Sequence, residues 1–533
     1  MLITQQYYMH PSKRFTSSFG MLTSISRLAL GVFLGLTPSC ALDDGSAADP
    51  SASDGTAADD GGDVTSEPVC SGGRVHCLAQ IRTFGAERSR SPRAVSPLAV
   101  PAGFGPADLQ SAYGIDPTKL ATTTVPVVAI VDAFGYPNLE SDLAAYRQTY
   151  NLPSCTTASG CLKIVGVDAQ GKQTTTLPPA PPAGDDWTIE TALDVDMVSS
   201  GCPRCKILVV QGTSDQDTSL DAGQNLAVQL GATVISDSWG AVEVPGQSLA
   251  SSETSYYNHP TTAIFVASGD AGWDETVVPP PPTGQAAPPT GPSYPATSAH
   301  TIAVGGTHLA KAPGSTRGWT ETAWAVTVTA GKVDGTRGAG GSGCSLSIAK
   351  PAYQSASPCT TKAASDIAAV ADPATGVAVY DTSGGNKGWT IVGGTSAASP
   401  FVASIFAATG NGSQTSGKFI ADNASKMFDV AQGTNGTCPA GQELICTAKA
   451  GWDGPTGFGA PNVKLLMPAA GTGPGTGGGN GTGGSTGNGT GGSASNGSGS
   501  GSDSGDITGG CSAGGGAGLL LGLALLGLRR RKR

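Results

Sequence analysis

The apolar positions of this chain fall into two kinds of run, and their alternation sets the architecture. Val125-Pro126-Val127-Val128-Ala129-Ile130-Val131-Asp132 is almost continuously apolar and β-branched, the pattern of a strand buried on both faces of a parallel sheet. Similar short runs occupy Lys206 to Gln211, Ala232 to Ser236, Ala263 to Ala267 and Thr301 to Val304. Between them lie longer stretches of helical character, notably Asp185 to Ser200 and Asp221 to Gly231. Strands alternating with helices predict an α/β fold with a mainly parallel sheet. The Pro-rich stretch Val278 to Pro295 predicts an irregular surface loop.

Both ends of the chain break this pattern. Arg27 precedes the apolar run Leu28 to Leu36, which is too short to span a bilayer and ends in Thr37-Pro38-Ser39-Cys40-Ala41. Residues 1–41 are therefore read as a signal peptide, with a lipidated Cys40 as the weaker alternative. Residues 42–96, rich in Ala, Asp, Ser and Gly, are read as a disordered spacer or short propeptide. Residues 469–510 repeat Gly, Thr, Ser and Asn and form a flexible tether. Residues 511–533 hold Cys511, an apolar segment from Ala513 to Leu528, and five basic residues from Arg529 to Arg533. That order fits a membrane stop or a processed sorting signal, and both readings stand. What remains, residues 97–468, is long enough for one large core or two smaller ones.

Composition and charge narrow the function classes. Of 533 residues 13 % are charged, and the net charge is −10. No basic stripe lies outside the last five residues, which excludes nucleic acid as the expected partner. Twelve cysteines are present. Leaving out Cys40 and Cys511, the other ten fall into sequence-local pairs, which predicts short-loop disulfides in an oxidising compartment. Cys202-Pro203-Arg204-Cys205 is a CxxC, but no second such pair accompanies it to hold zinc.

Three segments carry candidate chemistry. In Gly393-Gly394-Thr395-Ser396-Ala397-Ala398-Ser399-Pro400 the glycines permit a sharp turn that leaves Ser396 at a helix start. There the free N–H groups favour developing negative charge. In Trp187 to Met197, Glu190 and Asp194 are spaced i and i+4 and share a helix face beside Leu193 and Met197. In Phe265 to Gly272, a buried strand ends at Ser268-Gly269-Asp270, where an α/β fold displays reactive groups. Each motif alone also suits a helix cap, an acidic first turn or an ordinary turn. The five histidines, His10, His76, His259, His300 and His308, do not sit where a histidine base would follow the first strand.

Taken in order, Glu-x-x-x-Asp, Ser-Gly-Asp and Gly-Gly-Thr-Ser-x-x-Ser-Pro resemble the sedolisin family of serine-carboxyl peptidases. Val304-Gly305-Gly306-Thr307, Ala450 to Asp453 and Thr456 to Gly459 extend the likeness, which spans Pro101 to Leu466. The resemblance implies a subtilisin-like three-layer α/β fold whose central sheet has seven parallel strands. It implies Ser396 as nucleophile, Glu190 as general base and acid, Asp194 as its orienting partner and Asp270 as the oxyanion-hole group. It also implies a Ca2+ site built from Asp429, Asp453 and the carbonyls of Val430, Lys449 and Gly451. The C-terminal segment resembles the sorting tags of myxobacterial surface proteins.

The expected protein is thus a secreted or cell-surface monomer, membrane-anchored if the last segment is kept, that cuts protein or peptide substrates in acid. A surface binding module that has lost catalysis but kept the fold is the rival reading. The family usually carries a long folded prodomain, and here only the short stretch after the leader is available for one.

Overall fold

The computed structural model describes residues 64–467 apart from 71–74, 85–100, 121–123, 245, 247, 274–291, 325–327, 330–331, 334–337, 385 and 439. The expected signal peptide, the tether, the C-terminal apolar segment and most of the Pro-rich loop lie outside the described residues. Among the described residues, no helix is long and apolar enough to cross a membrane.

The continuous apolar runs become the strands of one sheet because both faces of each strand are covered. In chain order these are β1 (Val127–Ala133), β2 (Leu162–Val167), β3 (Lys206–Gly212), β4 (Val234–Asp237), β5 (Ala263–Ala267), β6 (Ile302–Lys311) and β7 (Ile367–Val370). Their spatial order is β2-β3-β1-β4-β5-β6-β7, and every neighbouring pair is parallel. Trp319–Ala323 joins antiparallel along the far half of β6. The expected count of seven parallel strands therefore holds. The sequence reading passed over β2 and β7, since Lys163 interrupts one and Ile367-Ala368-Ala369-Val370 is short and alanine-rich.

The helices that matter are α1 (Pro106–Tyr113), α2 (Leu139–Thr149), α3 (Trp187–Gly201), α4 (Asp217–Gln229) and α5 (Thr395–Ala408). Successive residues of a strand face opposite ways. Val131 packs towards Gly223 of α4 while Asp132 meets Thr191 of α3, so these two helices cover opposite faces of the sheet. That is the three-layer arrangement. Every residue of α3 is buried, which explains why its sequence has no polar face. Its Gly201 lets α5 come close, since a methyl group there would sit 2.0 Å from the Ser404 hydroxyl.

A second, four-stranded antiparallel sheet runs in the order Val64–Pro68, Gln80–Phe84, Gly388–Gly393, Val377–Asp381. Its first two strands come from the stretch expected to be a spacer or short propeptide. Averaging composition over 42–96 hid two short strand segments, which pair with each other and join the sheet through the strand that runs into Gly394. The pairings Cys70–Cys77, Cys155–Cys161, Cys202–Cys205, Cys344–Cys359 and Cys438–Cys446 are all disulfides. The CxxC is thereby spent on a disulfide and not on zinc.

Helix α5 holds the site serine in place through apolar packing. Phe401 is fully buried and meets the edge of the Tyr113 ring at 5.0 Å. Truncating it leaves a cavity between α1, α3 and α5. Phe401→Ala is expected to cost about 3–5 kcal/mol of unfolding free energy, read as a lower urea midpoint at unchanged slope.

Candidate active site

The functional side chains sit at the C-terminal ends of β1, β4 and β5 and at the start of α5, the edge where α/β sheets present their chemistry. Gly394 precedes α5 with φ of 97°, a backbone state that L side chains avoid. A methyl group there would lie 2.2 Å from the Leu78 carbonyl oxygen and 2.8 Å from Asp270 Oδ2. Glycine is required on both counts, and it leaves Ser396 in the first turn with its N–H directed out of the helix.

Ser396 is buried, and its hydroxyl donates to the Ser238 carbonyl at 3.1 Å. The Ser238 hydroxyl in turn donates to Asp194 Oδ1 at 2.7 Å. Asp270 Oδ1 accepts the Thr395 N–H at 2.8 Å and the Thr395 hydroxyl at 2.9 Å, so its carboxyl is fixed one residue before the serine. Its Oδ2 is buried with no hydrogen-bond partner. Glu190 and Asp194 lie one turn apart on α3, both fully buried. Neither oxygen of Glu190 makes a full hydrogen bond, although the Ser396 hydroxyl and the Leu78 N–H are its near polar neighbours. All four sequence-predicted residues thus converge on one buried pocket.

Two further residues belong to it. Asp132, at the end of β1, is fully buried and has neither carboxyl oxygen in a full hydrogen bond. It was visible in the sequence only as the polar end of the first strand. Ser238 links Ser396 to Asp194, and nothing in Asp237-Ser238-Trp239-Gly240 singles it out. The pairing of Trp239–Val242 with His76–Cys77 is what places it.

Burial governs the electrostatics. It pushes Glu190 well above the usual carboxylate range, with repulsion from Asp132 next and the Ser396 hydroxyl acting the other way. Burial likewise raises Asp194, with Asp132 and Glu190 adding repulsion. It lifts Asp132 and Asp270 to about 7, the latter against the pull of the Thr395 hydrogen bonds. Such a group of carboxyls shares protons, so that it carries less negative charge than four free carboxylates would. Among the described residues a histidine–carboxylate pair forms without Ser396: His308 Nδ1 meets Asp372 Oδ2 at 2.7 Å.

The residues expected to hold calcium form a separate loop cluster. Asp429 accepts the Gly451 N–H at 3.1 Å, and Asp453 Oδ2 accepts the Lys449 N–H at 2.9 Å. Thr456 bridges Asp453 Oδ1 and the Val430 carbonyl. Burial, with repulsion from Asp429, lifts Asp453 to about 7. Two carboxylates and three carbonyl-bearing residues within one loop pair are a hard-oxygen donor set that suits a divalent cation. Among the described residues no group of three His, Cys, Asp or Glu side chains forms a metal cluster, so any ion here leans on backbone oxygens.

Comparison with known proteins agrees with this architecture. Residues 183–420 match the family model described as the Subtilase family. Curated protein sequences yield no match. Among solved structures, a Pseudomonas sedolisin, a serine-carboxyl proteinase complexed with pseudo-iodotyrostatin, is 23 % identical with a TM-score of 0.52. That match covers 69 % of this chain and 98 % of the other. Fervidolysin from Fervidobacterium pennivorans is 15 % identical with a TM-score of 0.37, over 67 % of this chain and 44 % of its own.

Asp132 and Asp270 titrate near 7 in the fold and near 3.8 when exposed. A group raised in this way stabilises the fold below its unfolded value and loses that contribution as pH climbs through the folded one. The melting temperature is therefore expected to fall by about 5 °C or more between pH 4 and pH 8. Asp270→Asn should reduce that difference, which calorimetry at the two pH values checks. Fold, matched span and the convergence of Glu190, Asp194, Asp270 and Ser396 within it together show that this chain has the subtilisin-like fold of serine peptidases.

Proposed function

We propose that the protein is a secreted serine-carboxyl peptidase that hydrolyses peptide bonds in acid through an acyl-enzyme on Ser396. The observation that carries this reading is a buried serine at a helix N-terminus surrounded by carboxyls, with no histidine bonded to it among the described residues. Serine attack needs a base, and Glu190 is the ionisable group beside the hydroxyl. Only its ionised form can act as the base: it takes the Ser396 proton as the hydroxyl attacks the substrate carbonyl, then returns it to the departing amine. Asp194, held by Ser238, orients Glu190 and shares its proton load.

The developing oxyanion needs donors fixed in advance. The Ser396 N–H is one. Asp270 is the other, and it donates only while protonated, which burial favours below about 7. Activity is therefore expected in acid and lost as pH rises through that value. Five disulfides suit an oxidising compartment, and residues 511–533 would tether or sort the exported chain. Asp429, Asp453 and the carbonyls of Val430, Lys449 and Gly451 would hold Ca2+, which supplies fixed positive charge that pins two loops.

Ser396→Ala and Glu190→Gln should each lower peptide hydrolysis at pH 4 by at least about a thousandfold while leaving the far-ultraviolet spectrum intact. Turnover that survives Ser396→Ala would sink the assignment. Chelation should lower the melting temperature, and Asp429→Ala should abolish that sensitivity; a chelator without effect on the native protein removes the calcium site.

A further inference from the structure

Asp270 is held from two sides. Thr395 fixes its carboxyl, while the backbone that carries it is fixed from behind by a glycine-rich strap, residues 338–342. The strap runs parallel to the turn after β5. Gly341 donates its N–H to the Gly269 carbonyl at 2.6 Å, and Ala339 donates to the Asp270 carbonyl at 2.8 Å. Gly272 donates to the Ala339 carbonyl at 3.0 Å, and the Ser268 hydroxyl donates to the Gly341 carbonyl at 2.8 Å. The main chain is therefore bonded on each side of Asp270. The approach is close enough that a methyl group on Gly341 would collide with the Ser268 carbonyl.

The strap itself is irregular backbone, which keeps its place only through the bonds its neighbours offer. Asn435 offers them. Its side chain is buried, and the amide nitrogen donates to the Gly340 carbonyl at 2.6 Å and to the Ser342 hydroxyl at 2.8 Å. A carbonyl can only accept, which fixes the amide with its nitrogen towards the strap. The Ser342 hydroxyl passes its own hydrogen to the Ile445 carbonyl at 2.6 Å. The main chain of Asn435 is tied down as well. Its N–H donates to the Cys446 carbonyl at 2.9 Å, and its carbonyl oxygen abuts Gly272, two residues beyond Asp270. Asn435 thus stands beside the loop that Cys438–Cys446 closes and grips the strap from there.

These contacts decide where the Asp270 carboxyl stands. A preorganised donor stabilises an oxyanion only from hydrogen-bond distance of the place that oxygen will occupy. A shift of about an ångström forfeits much of that gain. Removing the Asn435 amide takes the side-chain donor from the buried Gly340 carbonyl, and a buried acceptor without a partner drives its segment to move.

We infer that Asn435 is a positioning residue for the oxyanion: through the 338–342 strap it holds Asp270 where its carboxyl meets the developing negative charge. This rests on the peptidase reading above, in which Asp270 is the oxyanion donor. Asn435 acts through Asp270 alone, so its effect falls on the tetrahedral state and spares the binding of substrate.

The test uses the full chain at pH 4 with a peptide substrate, a peptide aldehyde of the same sequence and the matching peptide alcohol. The aldehyde forms a tetrahedral adduct with Ser396 and reports the oxyanion contact, whereas the alcohol reports ground-state binding alone. Asn435→Ala should lower kcat about tenfold and weaken the aldehyde by the same factor, with alcohol affinity unchanged. Asn435→Asp, whose carboxyl is protonated in that buried seat at pH 4 and keeps one O–H donor, should return kcat to within about threefold of native. If the alanine variant does not fold, Asn435→Ser, which keeps a hydroxyl without its reach, carries the same comparison. A lower melting temperature with kcat per folded molecule unchanged overturns the inference. So does a loss of kcat without loss of aldehyde affinity, equal weakening of aldehyde and alcohol, or an Asn435→Asp variant no better than alanine. Each of these leaves the peptidase reading standing. A native chain that hydrolyses no added peptide at any pH defeats that reading, and this inference with it.

Discussion

The rest of the structure depends on the burial of Asp132, Glu190, Asp194 and Asp270 in one pocket. Carboxyls in water ionise near pH 4, and four ionised groups at such close quarters inside a protein would repel strongly. The fold tolerates them because burial raises their pKa values, so that protons are shared among them and the group carries less charge. Everything that seals the pocket serves this end: the wholly buried α3, the close approach of α5 at Gly201, and the fixed turn at Gly394.

The same burial divides the roles. Asp270 is tied by Thr395 on one oxygen and has the other facing Gly394 and the Leu78 carbonyl. A carboxyl so placed is a donor when protonated. Glu190 has no such tie and only the serine hydroxyl and one amide nearby, so it is the group free to exchange a proton. Asp194 is anchored by Ser238, whose carbonyl also receives the Ser396 hydroxyl. One residue therefore couples nucleophile, orienting carboxyl and docked peptide backbone, and its position is set by the strand it begins.

The upstream segment closes over the site: Leu78 bonds to the Ser238 carbonyl and the Ser396 N–H, and Ala79 lies over Gly394. Gln80 and Ile81 pair with Gly393 and Val392 in the four-stranded sheet that leads to Gly394 and Ser396, so this upstream segment also braces the turn before the nucleophile.

Much of this was legible from residue order alone. The apolar runs specified five of the seven parallel strands, because a strand buried on both faces admits almost no polar residue. The spacing of Glu190 and Asp194 placed them on one helix face, because helix periodicity is a local property. Local too was the pairing of ten cysteines, since each partner lies within 15 residues of the other. What the sequence could not determine was anything that depends on distant segments meeting. Ser238 and Asp132 look like ordinary polar residues at strand ends until the sheet order brings them beside Ser396 and Glu190. Residues 64–84 read as an unstructured spacer, because the local pairing of Val64–Pro68 with Gln80–Phe84 and the strand at His76–Cys77 are held in place by partners more than 150 residues away in the chain. Local pattern determined the elements and the chemistry they carry; only tertiary contact decided which residues meet around the serine.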